Sequence, residues 1–155
     1  MILPSSETTR KKVKSIAHKI GITILRVSSA RMLGSYGFMS ALFQVFERYR
    51  TVIDVISTSE VSVALTLDDT ASIEPIVNEL KRLGEVEVEH DNAVICIVGE
   101  GLRESSGLAS KIFSTLKDIN ILLISHGASS VNMTFVVKES EVARVIKRLH
   151  KIFFR

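Results

Sequence analysis

One part of the sequence carries the residue types that bind a small charged ligand. Residues 29–39 place Gly34 and Gly37 just before a predicted helix, so that backbone N–H groups at the helix start can face an anion such as a carboxylate. Asp54 then stands alone among apolar residues of a predicted strand, where a carboxylate requires a partner. The next turn, Thr58-Ser59-Glu60, adds hydroxyls and a second carboxylate. A free amino acid has the complementary chemistry; the alternative is that Asp54 pairs with an Arg or Lys of this chain.

Other residues with reactive side chains form no catalytic constellation. There is no Gly-x-x-x-x-Gly-Lys phosphate loop, and Gly99-Glu-Gly101 follows a predicted strand without completing a dinucleotide motif. Ser105-Ser106 precedes a predicted helix, where serine usually caps the helix. One cysteine, Cys96, and four scattered histidines do not favour a zinc site. We therefore expect neither catalysis nor a metal or cofactor in this chain.

Composition indicates a globular protein. The chain has 155 residues, 46% hydrophobic and 24% charged, and its net charge of +3 is too small to indicate nucleic-acid binding. RNA-recognition modules stack bases on strand aromatics, whereas aromatics make up only 6% of this chain, so RNA binding is the remotest hypothesis. No apolar run approaches the roughly 20 residues that span a bilayer, and the amino terminus does not resemble a signal peptide. We expect a cytoplasmic protein without nucleic-acid or membrane partners.

The sequence repeats itself after about 70 positions. The two copies match in residue type as well as in spacing, and two copies are too few for a solenoid. We interpret the repeat as two copies of one supersecondary unit. The matched pairs include Ile24 with Val94, Gly37 with Gly107, Phe43 with Phe113, Ser59 with Ser129, and Leu65 with Phe135.

Hydrophobic periodicity predicts the order strand, helix, strand, strand, helix in each copy. In the first helix, apolar residues recur at i, i+3, i+4 and i+7 and predict one buried face: Met39, Leu42, Phe43 and Phe46. The predicted elements of the first copy are Ile22–Ser28, Gly37–Arg50, Val52–Ser57, Val61–Leu67, Ala71–Leu83 and a closing strand, Glu85–Glu89. Those of the second copy are Ala93–Val98, Gly107–Ile119, Ile121–Ser125, Val131–Val137 and Ser140–His150.

The second copy lacks a closing strand of its own. The alternating segment Val13–Lys19 is predicted to supply it, so that the first domain, residues 22–90, is inserted into the second domain, residues 91–155. The alternative is that this segment is a linker, as predicted for residues 1–12. A βαββαβ unit forms an antiparallel sheet with both helices on one face, so we expect an α+β protein of two ferredoxin-like units. Because the other faces and edges of such sheets require cover, we expect an oligomer.

Three long motifs resemble the regulatory region of the aspartate kinase (aspartokinase) family. They are Arg31-Met-Leu-Gly-Ser-Tyr-Gly-Phe-Met39 followed by residues 52–68, the segment His126–Val137, and the carboxyl end at residues 149–154. The resemblance covers residues 13 to 155 and implies tandem ACT domains, the second of which is completed by a strand that precedes the first. It also implies pairing of two chains, ACT to ACT.

The resemblance further implies what the chain lacks. In the family, an amino-terminal kinase domain uses ATP and Mg to phosphorylate aspartate, and 155 residues without a phosphate loop cannot hold it. We therefore expect a regulatory fragment that binds an end-product amino acid for feedback inhibition and partners its own kinase domain. The alternative is a stand-alone ACT protein that regulates another enzyme in trans.

Similarity to the lysine-sensitive members implies L-lysine as the effector. Carried over by position, the lysine site comprises Met32, Ser35, Phe38, Met39, Ile53, Asp54, Ser59, Glu60 and Val61. The resemblance also implies a role for most of them. The backbone at positions 38 and 39 and the serine at 35 hold the carboxylate of lysine. The acids at 54 and 60 bind its amino groups, and the side chains at 32 and 53 line its aliphatic stem. The partner chain completes the pocket.

Two positions depart from the lysine-sensitive pattern. His126 stands where that pattern has a tyrosine, and Tyr36 stands where it has a small basic residue. Other members of the family respond to threonine, or jointly to lysine and S-adenosylmethionine. These effectors remain the alternatives to lysine.

Overall fold

The computed structural model describes residues 13–30 and 36–154. The predicted linker at residues 1–12 and the predicted site residues Met32 and Ser35 lie outside this range. In chain order the elements are β1 (Val13–Ser28), α1 (Phe38–Arg48), β2 (Ile56–Thr58), β3 (Ser62–Leu67), α2 (Ile73–Leu80), β4 (Glu85–Gly99), α3 (Leu108–Thr115), β5 (Leu123–Ser125), β6 (Asn132–Lys138) and α4 (Val142–Phe153).

The described chain forms two compact units. The first unit comprises residues 21–91, and the second unit comprises residues 13–20 together with residues 92–154. Strands β1 and β4 each contribute residues to both units. The strand order is β2-β3-β1-β4 in the first unit and β1-β4-β6-β5 in the second. Each unit therefore has the ferredoxin-like βαββαβ arrangement, and the predicted α+β fold class is confirmed.

Antiparallel pairing fixes the register of the first unit. Strand β1 pairs with β3 from Thr23 opposite Leu67 to Ser28 opposite Ser62. Strand β2 pairs with β3 only from Ile56 opposite Leu65 to Thr58 opposite Val63, and it lies at the edge of the sheet. The predicted strand, Val52–Ser57, thus begins four residues before the observed strand, because the backbone before Ile56 departs from regular pairing.

The first unit's core lies between its sheet and both helices. Helix α1 buries a face made by Phe38, Leu42, Val45 and Phe46. Phe43, predicted to share the buried face, is 41% exposed, because the face that meets the sheet runs through positions 38 and 45. The strand and α2 side chains in this core are Leu25, Val27, Val63, Leu65, Leu67, Ile76 and Leu80.

The second unit has a core of its own with the same plan. Its phenylalanine pair, Phe113 and Phe135, meets edge to face with ring centroids 5.5 Å apart, a favoured aromatic geometry. Phe113 packs against this core, whereas its repeat partner Phe43 is exposed. The fully enclosed members come from β4, β6, α3, α4 and the loop between β4 and α3: Ile95, Ile97, Leu102, Ile112, Met133, Phe135, Val137, Val145 and Leu149.

Strand β4 merges two predicted strands. Segments 85–89 and 93–98 were predicted as separate elements, but the structure has one strand, Glu85–Gly99, that includes Asp91. Asp91 has φ 62°, a left-handed conformation that aspartate tolerates better than most residues. Within the described residues, 13–30 and 36–154, no helix is long and apolar enough to cross a membrane.

An ion-pair network joins the end of α3 to α4 in the second unit. Asp118 accepts hydrogen bonds from Arg144, at 2.6 Å, and from Arg148, whose guanidinium makes two of them. Arg148 also donates to the carbonyl of Thr115, at the end of α3. The hydrogen bonds from Arg148 hold the pKa of the Asp118 carboxyl well below its usual range.

We predict that Asp118→Asn lowers the urea midpoint of unfolding at pH 7. Because the folded-state pKa of Asp118 is depressed, its contribution to stability is present above the unfolded pKa, near 3.8, and is lost as pH falls through the folded value. The difference from wild type should therefore shrink in acid, and also in 1 M salt, where the Debye length is about 3 Å. The control is Glu87→Gln, on an exposed glutamate; equal midpoints for wild type and Asp118→Asn at pH 7 contradict the prediction.

Candidate functional site

Helix α1 presents the first part of the predicted site. Its N-cap is Gly37, with φ 88° and no side chain to cap the helix, and the first turn has no acidic residue. The first N–H groups of a helix have no partner within the helix and attract negative charge. Phe38 is buried in the core and Met39 is half-buried. The burial of the Phe38 side chain is consistent with the prediction that these two positions contribute their backbone, and not the Phe38 ring, to the site.

The turn between β2 and β3 holds three predicted site residues. Ser59 Oγ lies 2.7 Å from Ser62 Oγ, and the Ser59 N–H donates to the Ser62 carbonyl. The carbonyl of Val61 accepts a 2.8 Å hydrogen bond from the N–H of Ser29, just beyond β1. Glu60 is exposed and Val61 is 45% exposed. The turn is thus fastened to the end of β1, the strand that leads into α1.

Asp54 lies in a β-bulge rather than in a regular strand. Its N–H donates to the carbonyl of Thr66, at 3.0 Å, while the N–H of Thr66 donates to the carbonyl of Val55. Two residues therefore oppose one, the defining feature of a bulge. The N–H of Val55 donates to the side-chain hydroxyl of Thr66, at 2.9 Å. Sequence periodicity could not find this role of Thr66, because a threonine in a strand is ordinary.

One chain does not bring the predicted site residues together. Asp54 lies opposite Thr66, and Thr58, next to the turn, lies opposite Val63. Three residues along β3 correspond to about 10 Å. Asp54 and the turn that carries Glu60 are thus at opposite ends of β2. Ile53 is half-buried and packs against the first unit's core.

The two acids lack compensating charges in the described residues. Neither Asp54 nor Glu60 forms an ion pair or a side-chain hydrogen bond with any part of the chain that the structure describes, and both are exposed. The alternative that Asp54 pairs with an Arg or Lys of this chain is therefore not seen in residues 13–30 and 36–154. These ranges also contain no cluster of His, Cys, Asp or Glu suited to a metal ion.

An open cavity of about 690 Å³ lies at the end of β1. Of the predicted site residues that the structure describes, only Val61 lines it, together with Ser28, Ser29, Ala30, Lys81, Gly84 and Glu85. This cavity therefore does not combine α1 with Asp54 and Glu60.

The second unit provides an internal comparison. Leu122 and Leu123 oppose Val136 as Asp54 and Val55 oppose Thr66. Thr66 and Val136 are 70 positions apart, the period of the repeat, but Asp54 and Leu122 are 68 apart. In this strand the two copies are thus offset by two residues fewer than the repeat of about 70 that the sequence predicts. At the matching place the second unit has a leucine instead of a carboxylate.

Comparison with known proteins agrees with this architecture. The model of the ACT domain family matches residues 95–153. Aspartokinase 1, chloroplastic, of Arabidopsis thaliana is 34% identical over 165 residues, which cover 99% of this chain. The chain spans only 29% of the length of that curated relative.

Two solved structures are similar in both sequence and fold. One, described as a C-terminal regulatory domain of aspartate kinase from Porphyromonas gingivalis W83, is 35% identical with a TM-score of 0.81; the match covers 91% of this chain and 97% of that one. The other is Escherichia coli aspartokinase III in complex with lysine and aspartate, which is 35% identical with a TM-score of 0.82. That match covers 92% of this chain and 33% of the other.

The two helix-start glycines give a testable prediction. Gly37 and Gly107 have φ of 88° and 79°, and a Cβ added to either meets no described atom within 4 Å. Because only backbone strain opposes a side chain there, Gly37→Ala and Gly107→Ala should each lower the free energy of unfolding by roughly 1–2 kcal/mol. Urea titration followed by circular dichroism measures this. A neutral effect of either substitution contradicts the assigned left-handed N-caps.

Proposed function

Because this chain belongs to the family of aspartokinase regulatory domains, which are built from ACT domains, we propose that it binds lysine and transmits its presence to an aspartokinase catalytic domain. The observation that carries the proposal is the pair of exposed acids, Asp54 and Glu60, without compensating charges in the described residues. The catalytic partner consumes ATP, with Mg, to phosphorylate aspartate, and lysine acts as a feedback inhibitor. We assign the protein to the cytoplasm, in keeping with its single cysteine.

Lysine suits the chemistry of the site. It carries two amino groups for the two acids and a carboxylate for the uncapped start of α1, which starts at Phe38. The similar E. coli structure contains lysine and aspartate, which supports this choice over threonine and S-adenosylmethionine. Threonine has only one amino group and would leave one acid without a partner.

The two units correspond to the two domains of the proposal. We assign the first unit to the first ACT domain and the second unit to the second. The match of the ACT family model to residues 95–153, which lie inside the second unit, supports this assignment. Residues 13–20 then supply the closing strand of the second ACT domain.

A homodimer resolves the separation of the two acids. Strand β2 is an edge strand, and its outer backbone groups are available to a second copy. If two copies pair antiparallel around a two-fold axis at Ser57, Asp54 of one chain faces the partner's Glu60, because the two positions are equally distant from residue 57. Each dimer then has two equivalent sites, each built from both chains.

Exposed apolar side chains support the same interface. Of the five large exposed hydrophobic residues in the described part of the first unit, one lies on α1, one lies two residues before α1, and two lie in the segments that flank β2. Such residues usually mark a surface that another molecule covers. They are Tyr36, Phe43, Val52 and Val61; the fifth, Val88, lies on β4.

Calorimetric titration with lysine tests the effector. We expect lysine to bind, and Asp54→Ala or Glu60→Ala to weaken binding at least about tenfold, which equals about 1.4 kcal/mol. Glu100→Ala, which removes an exposed acid from the second unit, is the control and should bind as wild type does. Binding of threonine without any heat from lysine contradicts the assignment.

Mixing the two variants tests whether the site is shared between chains. An Asp54→Ala chain paired with a Glu60→Ala chain has one site without either acid and one site with both. A 1:1 mixture that has exchanged subunits should therefore regain wild-type affinity at about a quarter of its sites. If each site lies within a single chain, the mixture should contain no sites of wild-type affinity. Sedimentation of the mixture verifies that the dimers have formed.

A further inference from the structure

We propose that Thr66 is a positioning residue that fixes the orientation of Asp54 for ligand binding, an inference that rests on the proposed role of Asp54. Thr66 is fully buried in β3, on the strand that pairs with β2. Its side chain does not face the ligand. It acts through the bulge that carries Asp54.

Three hydrogen bonds hold this bulge, and one of them depends on the threonine side chain. The backbone bonds from Asp54 to Thr66 and from Thr66 to Val55 are available to any residue at position 66. The third, from the N–H of Val55 to the hydroxyl of Thr66, requires a Ser or Thr. Val55 is 9% exposed, so its N–H has little access to water. Without the hydroxyl, this nearly buried donor loses its partner, which is unfavourable.

The same bond controls the direction of the Asp54 side chain. The N–H of Val55 and the carbonyl of Asp54 belong to one rigid peptide plane. The hydrogen bond that this N–H donates therefore restricts ψ of Asp54 and φ of Val55, the two dihedrals around this plane. Bulges serve to redirect a side chain at the edge of a sheet. Fixing the plane thus restricts the directions in which the Asp54 carboxylate can point.

The second unit shows that the fold itself does not require the hydroxyl. There the residue opposite the bulge is Val136, also fully buried. Valine has nearly the shape of threonine, and the second unit forms its bulge and its core with it. In that bulge the residue that corresponds to Asp54 is Leu122, whose side chain has no charge to orient. The hydroxyl therefore accompanies the unit whose bulge carries a carboxylate.

Three variants separate positioning from folding. Thr66→Val removes the hydroxyl and keeps the shape, and Thr66→Ser restores the hydroxyl. The matched control is Thr134→Val in β6, which removes the hydroxyl of a half-buried threonine from the second unit. Each variant is titrated with lysine, and amide NMR measures the hydrogen exchange of Val55 and the residual dipolar coupling that reports its N–H direction.

We expect Thr66→Val to bind lysine about tenfold more weakly, with faster Val55 exchange and a changed dipolar coupling. Thr66→Ser should stay close to wild type in all three measurements, and Thr134→Val should not change them. Wild-type lysine affinity and Val55 exchange in Thr66→Val overturn the inference.

A failure of the role inferred for Thr66 can be distinguished from a failure of the proposed function. If wild type does not bind lysine, the effector assignment fails, but the NMR comparison still decides the role of Thr66. A changed Val55 coupling and a shifted Asp54 carboxyl resonance in Thr66→Val, absent in Thr134→Val and reversed in Thr66→Ser, support positioning. Unchanged signals refute it.

Discussion

The outer edge of β2 is the constraint on which the candidate site depends. A strand at the edge of a sheet has backbone donors and acceptors on one side that must be met by water or by another chain. In the first unit this edge is only three residues long and is preceded by a bulge. The bulge places a carboxylate at one end of the edge, and the turn places a second carboxylate at the other. The edge strand, the two carboxylates and the flanking apolar residues are the features on which the proposed homodimer rests.

The two units share a backbone plan but differ in the chemistry that they place on it. Both start their first helix with a left-handed glycine, and both oppose two residues to one at the second strand. Only the first unit has an acid in the bulge and a hydroxyl to hold it, at Asp54 and Thr66. The second unit has Leu122 and Val136 at the corresponding places. The two units thus have the same backbone arrangement, but the first unit has polar and charged side chains at positions where the second unit has apolar ones.

Sequence periodicity predicted the elements because burial imposes a regular spacing on core side chains. It succeeded for β3, whose buried face follows the expected alternation. It succeeded only in part for α1, where two apolar stripes overlap and Phe43 was assigned to the buried face. The bulge was not predictable in the same way. A bulge at Asp54 leaves the apolar pattern unchanged, and the two-residue offset from Leu122 is compensated in the neighbouring loops. The absence of an ion pair at Asp54 in the described residues likewise depends on distances that spacing does not encode.

Electrostatics links ligand binding to dimer formation in the proposed assembly. When two β2 edges meet antiparallel, Asp54 approaches the partner subunit's Glu60, and two like charges oppose association. A ligand with two ammonium groups neutralises both acids, so the repulsion is removed only when the site is occupied. Lysine then binds the dimer more tightly than it binds the separate chains. Because linked equilibria are reciprocal, lysine must increase the affinity of the two chains for each other by the factor by which dimer formation increases the affinity for lysine. A ligand with one amino group leaves one acid uncompensated and gives a weaker coupling. In the proposed dimer, the spacing of the two carboxylates is thus the feature that would select the amino acid and set the strength of its coupling to the interface.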